Sequence, residues 1–236
     1  MADWNAHVAP HGPLQQLAPN LWQVTGSLAR SPLPRNMHIW RAPNGGLLIH
    51  SAVCLDAAGM HELEALGPVQ WVVVPCAMHR ADAKPYRDRY PDAMFLCPAA
   101  ARKKVEEVVA VDDLCEAVLP QLGIQIHHPM GLKPFELHLL CPLDSGETAL
   151  IVTDALFNLG ANPPAGFKGK MLRWMGSVGP LGMTRIGRWL LLKDKNKWNQ
   201  YLNQLADTPN LSILCVAHGD AIVTNVAEVL RNAALR

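Results

Sequence analysis

Four apolar segments of the sequence end in side chains that can bind a metal ion or transfer a proton. The segment 48–49 is followed by His50, and the segment 72–74 by His79 and Asp82. The segment 150–153 is followed by Asp154, and the segment 214–217 by His218. A strand buried on both faces can place a charged side chain at low cost only at its end. Several strand ends that meet at one rim commonly form a site. The pattern therefore predicts a polar site at one rim of a sheet.

Short strands and a few helices must position these residues. The patterns predict strands at 21–25, 37–40, 47–50, 71–74, 94–96, 124–127, 135–140, 148–153 and 211–216, and helices at 57–66, 99–110, within 161–200, and at 220–235. Asn44-Gly45 predicts a hairpin before the third strand, and Asp220 suits the N-cap of the last helix. This order favours an α/β fold in which two mixed sheets pack face to face with helices outside, an αββα sandwich, over a single parallel sheet.

Composition narrows the class of protein. The chain has 236 residues, of which 50% are hydrophobic and 17% charged, so disorder and a coiled coil are excluded. Six scattered cysteines without a C-x-x-C pair predict reduced thiols and a cytoplasmic location. We see no signal peptide and no apolar run of about 20 residues, and hence expect no transmembrane segment. The absence of repeats and linkers predicts a single domain over 1–236.

Three of these segments carry a resemblance to the metallo-β-lactamase superfamily, whose fold is an αββα sandwich. The segment Gly46-Leu47-Leu48-Ile49-His50-Ser51 resembles the first motif of that family, where an Asp usually ends the strand. The segments 150–157 and 216–220, which contain Asp154 and His218, resemble its fourth and fifth motifs, whose Asp bridges two metals and whose His binds the second metal. The resemblance covers roughly residues 20–235.

The other two motifs depart from the family pattern. The family signature H-x-H-x-D-H should stand at 75–82, where the chain has only His79, together with Asp82. The third-motif His falls near Leu132, which cannot bind a metal, although His127 or His128 lies just upstream. The chain thus resembles a branch of the superfamily with degenerate metal-binding motifs, and the fold carries over more firmly than the activity.

The resemblance implies a metal-dependent hydrolase with a reduced, mononuclear site. His79, Asp154 and His218 are the expected metal ligands, with His79 and Asp154 as catalytic residues. We expect His50, Asp82, His128 and Asp220 to be outer-sphere groups or alternative ligands. One Zn, Fe or Mn ion held by three side chains would activate a bound water for attack on an ester, thioester, lactam or phosphoester.

Two alternatives stay open at this point. These polar residues could be relics without a metal, in a non-catalytic protein that kept the fold and binds a small molecule. The chain could also dock on a membrane surface through residues 161–200, a helical segment rich in Gly, Met and Trp. That segment would cover the rim, and its residues Met171, Trp174, Met175, Met183 and Trp189 either line a substrate pocket or pack the segment onto the body.

Charge is distributed unevenly along the sequence. Residues 161–200 contain eight basic residues and one acid, which gives +7, so the remainder of this +1 chain carries −6. The near-zero total therefore does not exclude an anionic partner. We expect a small-molecule substrate that could be anionic, and no nucleic acid. The basic segment either pairs with the acidic body or attracts an anionic substrate or surface.

Overall fold

Two mixed β-sheets form the centre of the computed structural model, which describes residues 4–28, 31–161 and 165–235. The strands are β1 (Gln15–Ala18), β2 (Leu21–Leu28), β3 (Ser31–Arg41), β4 (Leu47–His50), β5 (Val69–Val73), β6 (Met94–Cys97), β7 (Asp113–Leu114), β8 (Gln125–His127), β9 (His138–Pro142), β10 (Thr148–Val152) and β11 (Leu211–Val216). Seven strands form one sheet in the order β1 to β7, and four form the other in the order β11-β10-β9-β8. In the first sheet the consecutive strands β4, β5, β6 and β7 pair in parallel. In the second sheet β10 and β11 pair in parallel, and the remaining pairs of both sheets are antiparallel.

Helices cover the outer faces of both sheets. The α-helices of the described residues, of which α1, α2, α7 and α8 form these outer layers, are α1 (Ala57–Ala65), α2 (Ala83–Arg89), α3 (Arg102–Val105), α4 (Cys115–Val118), α5 (Phe167–Met175), α6 (Arg185–Leu191), α7 (Lys195–Ala206) and α8 (Val226–Ala234). Apolar side chains of α1 and α2, such as Met60 and Tyr86, pack on the larger sheet, and those of α7 and α8, such as Leu202 and Leu230, pack on the smaller one. Within the described residues, no helix is long and apolar enough to cross a membrane.

Strand β4 shows why the centre of the fold is buried on both sides. Leu47 and Ile49 point to the outer helical layer, whereas Leu48 lies in the core between the sheets. Successive side chains of a strand point to opposite faces, so a continuous apolar run fits only where both faces are covered. The predicted αββα sandwich is confirmed by these two sheets and their outer helices.

Three predicted elements differ from the structure. The last helix begins at Val226 rather than at Asp220, because Ile222 bridges Leu214 with two backbone hydrogen bonds and keeps the chain extended there. The predicted helix 99–110 is helical only to about Val105, after which the chain turns and places Val109 in the core. The predicted strand 135–140 starts at 138, because residue 136 turns its side chain toward the loop after β10.

A buried histidine lies in the core between the two sheets. His38 on β3 stands opposite His50 on β4, and their ring centroids are 6.0 Å apart. The Nε2 of His38 lies 3.2 Å from Oε1 of Gln23, while its Nδ1 has no protein partner. Burial, with a smaller contribution from His79, lowers the pKa of His38 to about 3. The folded protein therefore holds this ring neutral.

We predict that this ring makes the protein sensitive to acid. In the unfolded chain a histidine binds its proton near pH 6.5, whereas His38 in the folded protein does not bind it until about pH 3. Between these values the unfolded state binds more protons, so the free energy of unfolding falls by about 1.4 kcal/mol per pH unit as the pH decreases. In the variant His38→Gln, the unfolding free energy should depend on pH less steeply by about that amount. Urea unfolding at several pH values between about pH 6 and about pH 4 measures this dependence. Parallel slopes for the two proteins would contradict this account.

Candidate functional site

Three of the residues predicted from strand ends converge at one rim of the sandwich. Nε2 of His79 lies 3.1 Å from Oδ1 of Asp154, and Nε2 of His218 lies 3.0 Å from the same oxygen. The two imidazole rings are 5.2 Å apart between centroids. His79 follows β5 of the larger sheet, whereas Asp154 and His218 follow β10 and β11 of the smaller sheet. The site therefore bridges the two sheets.

Each imidazole ring is held from its other side. Nδ1 of His79 lies 2.7 Å from the hydroxyl of Ser51, and Nδ1 of His218 lies 2.6 Å from the carbonyl oxygen of Pro34. Phe157 stacks on the His218 ring, with 4.4 Å between centroids. Ser51 has a positive φ of 60°, a conformation that costs free energy in a residue other than glycine. These contacts fix both Nε2 atoms toward Asp154.

A buried carboxylate fixes the loop that carries Asp154. Glu136 accepts hydrogen bonds from the backbone N–H groups of Thr153, Asp154 and Ala155 at 3.0, 2.6 and 3.1 Å. It also contacts Nε2 of His138, whose Nδ1 lies 2.9 Å from the hydroxyl of Tyr201 on α7. Sequence analysis missed Glu136, and the signal that could have found it is a lone carboxylate within the apolar segment 135–140.

Electrostatics keep Asp154 ionised although it is largely buried. Burial alone would raise its pKa, but the charges and hydrogen bonds of His79 and His218 outweigh burial and hold the pKa well below its usual range. Cys76 donates to Oδ2 of the same carboxylate at 3.3 Å. Burial, and then the charges of Asp154 and Glu136, raise the pKa of the Cys76 thiol well above its ordinary value. The site thus holds the ionised carboxylate of Asp154 together with the groups that donate hydrogen bonds to it.

The hydrogen bonds of His218 test whether these residues suit a metal ion. The Pro34 carbonyl can only accept a hydrogen bond, so Nδ1 of His218 carries the proton that it donates there. In a neutral ring, Nε2 then presents a lone pair to the Asp154 carboxylate oxygen 3.0 Å away. Two acceptors at this distance need a positive charge between them, which is either a second ring proton or a metal ion. The arrangement therefore fits a metal-binding site.

The donor set at the site fits zinc. Two imidazole Nε2 atoms and a carboxylate are the three protein ligands that many catalytic zinc sites use, with a fourth position left for water. The ligand-type atoms of Cys76, His79 and Asp154 lie within 4.8 Å of one another. Cys76 was not among the ligands predicted from the sequence. Outer contacts such as those of Ser51 and Pro34 are typical of metal-bound histidines, because they set the ring orientation and the tautomer.

The loop that carries His218 is fastened across the two sheets. Asn36 on β3 donates from its side chain to the carbonyl oxygens of Val216 at 2.8 Å and Gly219 at 2.6 Å. Gly219 has a φ of +107°, and a Cβ at this residue would overlap the carbonyl oxygen of Asn158. Only glycine fits this close approach without a shift of the backbone. The position of His218 therefore depends on both Asn36 and Gly219.

An apolar cavity of about 560 Å³ opens beside the three converging residues. Residues from several elements line it, among them Leu33, Phe135, Phe157, Met175, Ile186 and Leu191. Two basic residues also line it: Lys133, which is exposed, and Arg35, which is buried and paired with Asp82. A cavity of this size suits a small molecule with an apolar part.

The remaining predicted site residues lie away from the Asp154 carboxylate. His50 is buried beside His38, where its Nδ1 has no partner, and burial, with smaller contributions from His38 and His79, holds its pKa well below the ordinary value. Asp82 stands at the start of α2, and its carboxylate is buried, pairs with Arg35 and accepts from the Cys54 N–H. His128 lines a separate depression of about 330 Å³, and Asp220 is exposed next to the His218 loop.

Residues 165–200 cover the site, but few of the predicted pocket residues face it. Of the five Met and Trp residues proposed as pocket lining, only Met175 lines the cavity. Met183 is buried, Met171 is half-buried, and Trp174 and Trp189 are 70% and 81% exposed. Ile186, Leu190 and Leu191 of α6 line the cavity instead. The structure therefore places part of the segment in the pocket and part of it in solvent.

Solved structures identify the fold. The chain is similar to the metallo-β-lactamase FIM-1 from Pseudomonas aeruginosa in its mono-zinc form, with a TM-score of 0.61, 10% identity, and coverage of 97% of this chain and 96% of that one. It is also similar to the metallo-β-lactamase DIM-1 (TM-score 0.64, 12% identity, coverage 96% and 98%). A third similar structure is a metallo-β-lactamase from Erythrobacter litoralis, with a TM-score of 0.61, 13% identity, and coverage of 94% of this chain and 95% of that one. The chain has the metallo-β-lactamase fold.

Comparisons at the level of sequence give no match. No family model matches the chain, and no curated protein matches it. With identities of 10% to 13% to the solved structures above, the likeness establishes the architecture alone, and the chemistry must be argued from the side chains.

We predict that Gly219→Ala displaces the His218 loop. The matched control is Gly146→Ala, because Gly146 has a similar left-handed φ of +81° but open space around it. The control should lose about 1 kcal/mol of unfolding free energy from backbone strain. Gly219→Ala should lose about 2 kcal/mol more, because the new Cβ displaces backbone atoms. Urea unfolding measures both, and equal losses would show that the close approach to Asn158 is unimportant.

Proposed function

We propose that this protein, which has the metallo-β-lactamase fold, is a hydrolase that uses one metal ion held by His79, Asp154 and His218. The observation that carries the proposal is that both ring nitrogens of His218 face acceptors, at 2.6 and 3.0 Å. A metal ion held by Nε2 and the carboxylate would satisfy both atoms without a second ring proton. The similar FIM-1 structure is a mono-zinc form, which supports a site of this kind with one ion.

The chemistry follows from the ion and from the residues around it. When bound, a zinc ion acidifies a water molecule and polarises a carbonyl or phosphoryl group. Ser51 and the Pro34 carbonyl hold the two rings in the orientation that leaves both Nε2 atoms free for the ion. Glu136 fixes the backbone of Asp154, and Phe157 shields the His218 ring from solvent. The chain therefore supplies a preorganised set of ligands with little motion.

The cavity indicates which substrates the site accepts. Its lining is mainly aliphatic and aromatic, so we expect one substrate arm to be apolar. Lys133, which lines the cavity and has no ion-pair partner among the described residues, offers a positive charge to an anionic group. Arg35 is less free to do this, because Asp82 neutralises it. An ester, thioester, lactam or phosphoester with an apolar arm fits these features.

We predict stoichiometric metal binding that depends on the three ligands. The purified full chain, equilibrated with zinc and passed through a desalting column, should retain about one ion per chain by elemental analysis. Asp154→Asn and His218→Ala should each weaken zinc binding by at least about 100-fold, because each removes one of three ligands. Asp220→Asn is the matched control, since this carboxylate lies two residues after His218 but is exposed.

Two results would contradict the metal proposal. One is the absence of zinc, iron or manganese uptake by a folded chain on reconstitution. The other is equal loss of zinc in the Asp220→Asn control. In the first case, stabilisation of the protein by a small molecule in a thermal-shift measurement would favour the non-catalytic binding protein instead.

We also predict a dependence of hydrolysis on the length of the apolar arm. With zinc bound, kcat/KM for a series of p-nitrophenyl acyl esters should rise about threefold per added methylene until the cavity is full. Ile186→Thr makes this lining residue one heavy atom smaller and introduces a hydroxyl into the apolar lining, so it should flatten the series. The control Ile126→Thr changes a half-buried isoleucine outside the cavity and should leave the slope unchanged. A flat series in the unmodified protein would contradict the assignment of the cavity.

A further inference from the structure

The outer surface of α5 and α6 exposes aromatic side chains that a folded protein usually covers. Phe167 is 78% exposed, Trp174 70% and Trp189 81%. Basic residues on the same two helices are also exposed. We use the term cover face for the set Phe167, Lys170, Arg173, Trp174, Arg185, Arg188 and Trp189. Neither helix contains an acidic residue.

Helix geometry groups aromatic and basic side chains on each of the two helices. Phe167 and Trp174 are seven residues apart on α5 and therefore lie on the same side of the helix, two turns apart. Arg185 and Trp189 are four residues apart on α6 and are likewise neighbours. The two helices meet at Gly176, where an added Cβ would lie 3.2 Å from the backbone N of Arg185. The aromatic and basic side chains thus lie on two helices that adjoin at this point.

The basic residues of the cover face have no ion-pair partners. Among the described residues, none of Lys170, Arg173, Arg185 and Arg188 lies within 4.0 Å of a carboxylate oxygen. By contrast, eight Lys and Arg side chains outside residues 161–200 are paired with carboxylates, and these are Arg35, Arg80, Lys84, Arg87, Arg89, Arg102, Lys104 and Arg231. Several acidic groups of the body are therefore paired within the body and not with the cover face. The positive charge of the cover face is left for another partner.

Apolar surface continues from the cover face into the mouth of the cavity. Leu190, next to Trp189, lines the cavity and is 46% exposed, and Met78 on the opposite side lines it and is 74% exposed. Met175, next to Trp174, also lines it. On both helices, exposed aromatic residues and unpaired basic residues are therefore next to residues that line the apolar cavity.

We infer that the cover face docks on the surface of an anionic lipid bilayer. Short helices with Trp and Phe beside Lys and Arg are typical of segments that lie in the membrane interface, where the rings enter the headgroup region and the cations contact anionic lipids. A second copy of this chain is disfavoured, because two positive faces would repel each other. Transfer of the exposed Leu190 and Met78 at the cavity mouth from water to a bilayer is favourable. A nucleic acid backbone offers these apolar side chains no comparable apolar surface. This inference does not depend on the presence of a metal.

Vesicle sedimentation of the full chain tests the inference. We expect binding to phosphatidylcholine vesicles that contain phosphatidylglycerol, much weaker binding to phosphatidylcholine alone, and loss of binding as salt rises from about 0.05 M to about 0.5 M. Trp189→Ala should reduce partitioning by about tenfold. Arg188→Glu should reduce it by at least about fivefold, because each cation near an anionic surface contributes about that factor. Far-ultraviolet circular dichroism and thermal unfolding show that each variant is folded.

Two matched controls separate the cover face from general charge and hydrophobicity. Leu235→Ala removes an equally exposed apolar side chain (82%) at the end of α8, and Lys103→Glu reverses an exposed charge on α3. Both should bind vesicles as the unmodified chain does. The inference is overturned if the unmodified chain fails to bind anionic vesicles at low salt, or if the controls lose binding as much as the cover-face variants. It is also overturned if Trp189→Ala abolishes a dimer in sedimentation velocity, since the face would then join two copies.

Discussion

The burial of one ionised carboxylate is the constraint on which the rest of this structure depends. Asp154 lies between two sheets, and a buried anion is tolerated only where positive or donor groups replace the lost water. His79 comes from one sheet and His218 from the other, so neutralising Asp154 also joins the two halves of the sandwich at this rim. Asn36 and Glu136 then hold the loops that keep the three groups in place.

This constraint links the stability of the fold to its chemistry. The space between Nε2 of His218 and the Asp154 carboxylate requires a cation, and a ring proton or a metal ion would both satisfy it. A metal ion that binds only the folded chain would stabilise the protein in proportion to its affinity and concentration. A site whose residues come from both sheets is therefore also a site where ligand binding is preorganised, because packing of the two sheets brings these residues together.

The sequence predicts the fold and the converging residues because both follow from local pattern. Apolar runs of strand length imply buried strands, and the polar residues that end them have to share a rim. Arg35 and Asn36 could not be found in this way, because the partners that give them their roles, Asp82 and the His218 loop, stand 47 to 183 positions away in the chain. The burial of Asp82 was missed for the same reason, since it depends on Arg35, which lies 47 residues upstream.

The distribution of charge leads to a stronger argument than the net charge does. Residues 161–200 carry +7 and the remainder −6, which alone suggests that the two parts attract each other. Among the described residues, however, the basic side chains of the cover face form no ion pair with the body, whereas several acids of the body pair with its own arginines: Glu107 with Arg80, Asp112 with Arg87 and Glu64 with Arg89. Exposed charges are hydrated and cost little, but the rings of Trp174 and Trp189 beside them are apolar surface that the fold does not bury. Their combination at the mouth of an apolar cavity is explained if the surface that meets them is anionic and apolar at once, as a lipid headgroup layer is.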